Sequence, residues 1–307
     1  MYLGAHIGIA AGLATAARAG HEIGCEAIQI FAKSPQMWAG PPLPVAAAEE
    51  FRRAVRAEGL AATAVHHGYL ANLASPKAPM LARSRTAFRD ELARAELLGV
   101  DALIFHPGAH LGSGAAAGLA TIAESLRGIL AEVPDGKVRV LLENAAGQGT
   151  TLGASFDELK TVLAAVDLPA RLGVCLDTCH LFAAGLDFRS DEQYGQLLDR
   201  IDSTLGRANV RAFHLNDAKA ALGSHLDRHE NIGRGEIGLD GFRHLVTDAR
   251  WTTVPGYLET PLDDRGYALY AEDLARLRSL LPGPTPAARP SRRGSSSSNK
   301  RSRSERD

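Results

Sequence analysis

The sequence has 307 residues, of which 45% are apolar, 22% charged and 6% aromatic. This apolar fraction is sufficient for a buried core and excludes a wholly disordered chain. No apolar run reaches the ~18–20 residues that a membrane-spanning helix needs, so we expect no membrane association. Three cysteines are too few for a disulfide framework and indicate a reducing, cytoplasmic environment.

The net charge of −1 is unevenly distributed along the chain. Residues 283–307 carry seven Lys or Arg against Glu305 and Asp307, so this segment is +5 and residues 1–282 are −6. The segment is rich in proline and then serine, and it has almost no apolar residue after Ala288. We therefore predict one folded domain over 1–282 and a disordered basic tail over 283–307.

Short apolar runs ending in polar residues alternate with longer segments of helical periodicity. The N-terminal twenty residues lack a basic region and predict a strand followed by a helix, not a signal peptide. Most of the runs are continuously apolar, which is typical of parallel strands covered on both faces. The eight predicted strands are Tyr2–Ile9, Ala27–Ala32, Ala62–His67, Ala102–His106, Val138–Asn144, Leu172–Thr178, Val210–Asn216 and Gly256–Thr260.

The segments between the strands predict helices. They are Ala46–Glu58, Ala82–Leu98, Gly118–Val133, Phe156–Val166, Asp191–Leu205 and Tyr267–Leu281. Ser155 followed by Glu158 predicts a capping box at one helix start. Eight β-then-α units in a domain of this size predict an α/β fold of the (β/α)8 TIM-barrel type. A doubly wound open sheet is the alternative, but GIAAGLA after the first strand lacks its glycine-rich phosphate-binding pattern.

A histidine, aspartate or glutamate ends each of the last six predicted strands, and TIM barrels build their active sites at that end. His180 follows Asp177 by three residues. Asp227 and His229, after the seventh strand, lie on one face of an extended segment. The resulting set is His66, His106, Glu143, Asp177, His180, His214, Asp227, His229 and Glu259.

These nitrogen and oxygen donors suit Zn²⁺, with Mn²⁺ and Fe²⁺ as competitors. With one bridging carboxylate, the nine residues provide ten contacts, which is enough for three metal ions. Open coordination positions would remain for water and substrate.

The remaining histidines and cysteines have simpler interpretations. Three histidines in helix or loop contexts are expected to be solvated: His21, His225 and His244. His67 is expected to be structural and His110 to orient a ligand. The sequence does not decide whether His6 belongs to the core or to the site. Cys175 and Cys179 are weaker alternatives as soft ligands.

Six segments in order, FHPGAH, LLENAAGQG, GVCLDTCHLFAAG, FHLNDAK, GSHLDRHENIGRGEIG and LET, resemble the endonuclease IV family of zinc-dependent AP endonucleases. The resemblance extends from about Leu3 to Leu281. It implies a TIM barrel with three zinc ions that acts on double-stranded DNA. Such enzymes cut the backbone 5′ to an abasic site, leaving a 3′-hydroxyl and a 5′-deoxyribose phosphate, and remove blocked 3′ ends.

The resemblance also implies three ligand groups. They are His66, His106 and Glu143; Glu143 as a bridge with Asp177, His214 and Glu259; and His180, Asp227 and His229. Four carboxylates and three Zn²⁺ give the site a charge of +2, or +1 with a bound hydroxide, which suits a phosphodiester. A metal cluster lowers the pKa of bound water towards ~7, so hydroxide is the expected nucleophile and no separate protein base is required.

The loops after the second and third predicted strands, KSPQMW and HGYL, match loops that this family inserts at abasic sites. Tyr69 and Leu70 match residues that wedge into the base stack. Gln36 stands where relatives often have arginine, and Arg234 stands where many have an acidic residue. Arg228, between two predicted ligands, is a candidate phosphate contact.

Two other functions fit parts of the pattern. A sugar isomerase or epimerase of the xylose-isomerase type shares the barrel but typically lacks the third ligand group. A non-enzymatic DNA-structure-binding protein would not need nine complete ligands. Metal stoichiometry would separate the isomerase or epimerase from the endonuclease. For the enzyme we expect a monomer in the cytoplasm, associated with the nucleoid.

Overall fold

Eight parallel strands close into a barrel in the computed structural model, which describes residues 1–282. The barrel strands are β1 (Tyr2–His6), β2 (Ala27–Phe31), β3 (Ala62–His66), β4 (Ala102–Phe105), β5 (Arg139–Glu143), β6 (Leu172–Asp177), β7 (Val210–His214) and β10 (Pro255–Leu258). Their order around the barrel is β1-β10-β7-β6-β5-β4-β3-β2, so the predicted TIM-barrel fold is confirmed. A separate antiparallel pair joins β8 (Asp217–Ala218) to β9 (His229–Glu230). The predicted basic tail lies outside the described residues.

Within residues 1–282 nine α-helices are present. They are α1 (Leu13–Glu22), α2 (Val45–Ala57), α3 (Ala78–Leu98), α4 (Ala115–Ala131), α5 (Phe156–Val166), α6 (Thr178–Ala183), α7 (Asp191–Arg200), α8 (Gly238–Thr247) and α9 (Ala268–Ser279). The predicted helix over Asp191–Leu205 is α-helical only to Arg200 and ends in a π-helical turn, Ile201–Leu205. In the described part of the chain, no helix has the length and apolar character needed to cross a membrane.

The predicted capping box at α5 is only half formed. The Ser155 hydroxyl accepts a hydrogen bond from the Glu158 backbone N–H, as predicted. The Glu158 carboxylate does not return to Ser155, because the preceding turn presents the N–H groups of Gly153 and Ala154 to it at 2.8 and 3.1 Å. The reciprocal box forms at α7 instead, where Ser190 pairs with Gln193.

The barrel has two apolar layers that fix the positions of the strand ends. The larger layer lies between strands and helices. The smaller fills the inside of the barrel and consists mainly of small side chains: Ala27, Ala64, Ala102, Ile104, Leu141, Cys175, Ala212 and Tyr257. In the strand register Asp177 of β6 lies opposite His214 of β7, which in turn lies opposite Tyr257 of β10. The carboxyl ends of the strands therefore converge on one mouth of the barrel.

Candidate metal centre

The nine side chains predicted as ligands lie around this mouth. Four of them end strands β3, β5, β6 and β7: His66, Glu143, Asp177 and His214. His106 and Glu259 directly follow β4 and β10, and His180 lies in the short helix α6. His229 begins β9, and Asp227 precedes it by two residues, so both enter the mouth from the loop after β7. The fold thus brings all nine together, and their role as ligands stays a prediction.

Glu143 occupies the centre of this set and is completely buried. Its Oε2 lies 3.1 Å from His66 Nε2 and 3.6 Å from His106 Nε2. Its Oε1 lies 2.9 Å from His214 Nδ1 and 3.4 Å from His180 Nδ1. The two carboxylate oxygens therefore face different histidines, which is the geometry that a bridging carboxylate needs.

The donor atoms form compact groups, within each of which all lie less than 4.8 Å apart. Three of these groups are His66, His106 and Glu143; Glu143, Asp177, His214 and Glu259; and His180, Asp227 and His229. They have the same membership as the three groups implied by the family resemblance. A further group joins His66, His214 and Glu259, so the first two groups are contiguous.

The histidine rings are held so that one nitrogen of each faces the mouth. Three rings donate their Nδ1–H to a backbone carbonyl oxygen: His66 to His67 at 2.8 Å, His180 to Asn144 at 2.9 Å, and His229 to Glu259 at 3.2 Å. A carbonyl can only accept, so in the neutral form of each ring, which is the form that binds a metal ion, the lone pair is on Nε2 and is directed inward. The buried Nε2 of His229 has no hydrogen-bond partner among the described residues, as expected for an atom that receives a metal ion.

Electrostatics at the centre favour added positive charge. Burial disfavours the ionised form of Glu143, but the nearby His106 and His214 rings outweigh it and hold the pKa of this carboxyl well below its usual range. Burial also opposes protonation of His180, yet the Asp177 carboxylate helps to raise the pKa of this ring well above its usual value. Divalent cations would satisfy the same carboxylates, and the nitrogen and oxygen donors fit Zn²⁺ or a similar ion.

Three further residues fix the candidate ligands, and their role was not predicted from the sequence. Asn144 accepts a hydrogen bond from the Asp177 backbone N–H at 2.6 Å. Asn216 donates to Asp177 Oδ2 at 2.7 Å and accepts from the Glu259 backbone N–H at 2.8 Å. Gln29 contacts both His214 and Glu259. The two asparagines follow Glu143 and His214 by one and two residues, a proximity that could have indicated this role.

Two histidines differ from their predicted roles. His110 does not orient a ligand, because its Nδ1 accepts hydrogen bonds from the N–H groups of Gly112 and Gly114, both at 3.2 Å, and stabilises its own loop. His244 is not solvated, because its ring stacks on Tyr194 with the ring centroids 5.3 Å apart. His21 and His225 are exposed, as predicted. His67 is buried and stacks on Phe88 away from the mouth, which fits a structural role.

The cysteines are poorly placed to compete as ligands. Cys175 lies within the small layer inside the barrel. Cys179 is close to Asp177 and His229, but it is buried and its thiol donates to the Arg228 carbonyl oxygen at 3.5 Å. Burial raises the pKa of the Cys179 thiol to about 12, which keeps it protonated in the absence of a metal ion.

The residues predicted to contact DNA surround the same mouth. Tyr69 is 65% exposed after β3, although one edge of its ring packs against Phe31 with the centroids 5.7 Å apart. Leu70 is 39% exposed beside it, and both line a cavity of about 270 Å³ that reaches His106. Gln36, in the loop after β2, and Arg228, in the segment that leads into β9, are both exposed. The arrangement is compatible with a surface for a large ligand, and the DNA contacts themselves stay predictions.

The fold and a match of residues 17–280 to the model of the xylose isomerase-like TIM barrel define the class of this protein. A protein from Geobacter sulfurreducens described as "Probable endonuclease 4" is 43% identical over 263 residues, which cover 86% of this chain and 89% of that protein. Another of the same description, from Chloroflexus aurantiacus, is 42% identical over 91% of this chain and 98% of its own length. Within the class, the chain belongs to the endonuclease IV family.

Solved structures agree with this membership. The crystal structure of endonuclease IV from Thermus thermophilus has a TM-score of 0.78 and 33% sequence identity, and the match covers 91% of this chain and 98% of that one. A D-psicose 3-epimerase has a TM-score of 0.68 at 15% identity. At that identity the likeness shows the fold alone.

Proposed function

We propose that this protein is a DNA repair endonuclease that hydrolyses the phosphodiester bond on the 5′ side of an abasic site. The products are a 3′-hydroxyl and a 5′-deoxyribose phosphate, and the same centre would remove blocked 3′ ends. The observation that carries the proposal is Glu143, whose two oxygens face different histidines within a set of nine convergent donors. Membership of the endonuclease IV family supports it.

Three Zn²⁺ ions are the proposed cofactors, one for each of the three donor groups given above. When bound, such ions lower the pKa of coordinated water and offset the negative charge that develops on a phosphate. The protein sets the spacing between two of the donor groups, because Glu143 belongs to both of them. It also contributes ring orientation, since backbone carbonyl oxygens hold the outer nitrogens of His66, His180 and His229.

The rim residues would select the damaged duplex. An exposed tyrosine and leucine side by side are suited to enter a base stack opened by a missing base and to kink the DNA there. Tyr69 is close enough to the centre for this, because its ring centroid lies 6.2 Å from that of His66. Arg228 would contact a phosphate and Gln36 the region of the missing base. These contacts position the duplex, while Glu143 and its neighbours form the reacting centre.

The third donor group weighs against a sugar isomerase or epimerase. A centre with one or two metal ions does not require the donor group formed by His180, Asp227 and His229. In this group the Asp227 carboxylate lies 3.2 Å from each of the two histidine rings. Asp227 and His229 come from the loop after β7, so the group depends on a segment outside the barrel strands. The extra group is the feature that favours a phosphodiester substrate.

The direct test is incision of a duplex that contains one abasic site in a strand labelled at its 5′ end. The zinc-loaded protein should give one product that ends in a 3′-hydroxyl immediately 5′ of the lesion. The same duplex without the lesion should remain intact. Cleavage on the 3′ side alone, or an intact abasic strand at enzyme excess, would contradict the proposed function.

A further inference from the structure

Gln29 is a fully buried amide beneath the candidate metal centre. It lies within the apolar strand β2, in the run AIQIF, and is 0% exposed. Its Nε2 is 2.7 Å from Glu259 Oε1, and its Oε1 is 2.9 Å from His214 Nε2. One side chain from β2 thus contacts candidate ligands that follow β10 and end β7.

The chemistry of its neighbours fixes the orientation of this amide. An ionised carboxylate can only accept hydrogen bonds, so the NH₂ group of Gln29 must face Glu259. A carboxyl that binds a metal ion is deprotonated, so Glu259 is a carboxylate in the proposed cation-bound state. The second proton of the NH₂ group points to His6 Nδ1, 2.9 Å away. With both donors used, the amide oxygen faces His214.

The amide oxygen in turn determines which nitrogen of His214 carries a proton. An amide oxygen only accepts, so His214 must donate from Nε2. Nδ1 then has the free lone pair, and it faces the mouth, 2.9 Å from Glu143 Oε1 and 3.4 Å from Glu259 Oε2. His66, His180 and His229 are held in the opposite way, with the proton on Nδ1 and with Nε2 inward.

We propose that Gln29 is a positioning residue that holds His214 as the Nε2–H tautomer and directs Glu259 Oε2 towards the same cation. The inference rests on the proposed function, because it concerns the donor group formed by Glu143, Asp177, His214 and Glu259. A buried amide that satisfies two ligands at once removes alternative ring and carboxylate rotamers before the cation arrives. Loss of such a partner typically reduces metal affinity by about 10–100-fold.

The first test is the Gln29→Met variant, which keeps the approximate volume of the side chain but removes all three hydrogen bonds. Titration of the zinc-loaded protein with a chromophoric chelator should show one zinc per chain held about 10–100-fold more weakly than in the wild type. Gln196→Met is the matched control, because Gln196 is exposed on α7, and it should leave all zinc affinities unchanged. Equal chelator curves for Gln29→Met and wild type would overturn the inference.

The second test uses the wild-type protein and does not depend on the folding of a variant. In the zinc-loaded protein labelled with ¹⁵N-histidine, the His214 resonances, assigned by their loss in His214→Asn, should show a proton on Nε2 and a metal-shifted Nδ1. His66, His180 and His229 should show the reverse. A proton on His214 Nδ1 would refute the role of Gln29. Absence of zinc binding in the wild type would instead refute the proposed function, so the two failures are distinguishable.

Discussion

At the scale of single residues, Glu143 has the largest predicted effect, because it belongs to two donor groups. Glu143→Gln preserves the shape of the side chain but removes its negative charge, which weakens the hold on both cations. We expect incision of abasic duplex to fall by at least ~10²-fold, in the range seen when a key electrostatic group is removed. Abasic-DNA binding should fall much less, because the rim residues are unchanged.

The control for this variant is Glu132→Gln. Glu132 is exposed at the end of α4, where it pairs with Arg89 at the surface. Its replacement should leave incision within a few-fold of wild type, since exposed ion pairs contribute little. If Glu143→Gln also cuts within a few-fold of wild type in single-turnover assays, Glu143 is not the bridge.

A variant of Tyr69 tests DNA recognition independently of metal binding. Tyr69→Ala should weaken binding to abasic duplex by ~1–3 kcal/mol, the usual contribution of a stacking side chain, without changing metal content. Leu168→Ala is the control, because Leu168 is another exposed apolar residue but precedes β6 at the opposite end of the barrel. Fluorescence anisotropy on abasic and intact duplexes measures both variants. An unchanged preference for the abasic duplex in Tyr69→Ala would show that Tyr69 only packs against its neighbours.

At the scale of elements, helix α3 connects the two loops predicted to enter DNA. Glu91 of α3 is buried and pairs with the Lys33 ammonium in the loop after β2. The same carboxylate accepts the Gly68 N–H at 3.1 Å in the loop after β3. One carboxylate therefore fixes the loops that carry Gln36 and Tyr69.

Glu91→Leu should lower the free energy of unfolding by about 3–5 kcal/mol, because it leaves Lys33 buried without its partner. Adding Lys33→Met should recover part of that loss, since the pair is then replaced by apolar groups. Urea denaturation of the two single variants and the double variant measures this coupling. If the losses in unfolding free energy of the two single variants add up to the loss of the double variant, Glu91 and Lys33 are not energetically coupled, and their ion pair does not stabilise the contact between the loops.

The sequence was most informative where apolar runs end in a charged residue or a histidine. Each such run forms a strand, and the parallel barrel brings strand ends together whatever their separation in the chain, so six of the nine site positions could be predicted from strand ends alone. Contacts between distant side chains were not predictable in this way. Gln29 lies inside an apolar run with no nearby partner in sequence, and Lys33 meets Glu91 from 58 residues away. The helical periodicity of the sequence also continues through Ile201–Leu205, so the π-helical turn could not be predicted from the sequence pattern.

At the scale of the whole molecule, the seven cations of residues 283–307 contrast with the acidic body. If they bind phosphates, they release counterions and steepen the salt dependence of DNA binding. Truncation after Pro282 should then reduce the slope of log K against log salt by about two to five units. In that case the segment acts as a tether, which raises the affinity for DNA without contacting the reacting centre. Single-turnover incision at saturating enzyme should therefore not change. Identical slopes for the full-length and truncated proteins would show that the segment has no part in binding.

The most direct measurement of the central claim is the metal content of the purified protein. The nine donors form three groups, two of which share Glu143, and we propose that each group holds one zinc ion. Elemental analysis after exhaustive dialysis in metal-free buffer should therefore give close to three zinc ions per chain in protein that incises abasic duplex. A value near one, in protein with full incision activity, would contradict the trinuclear centre.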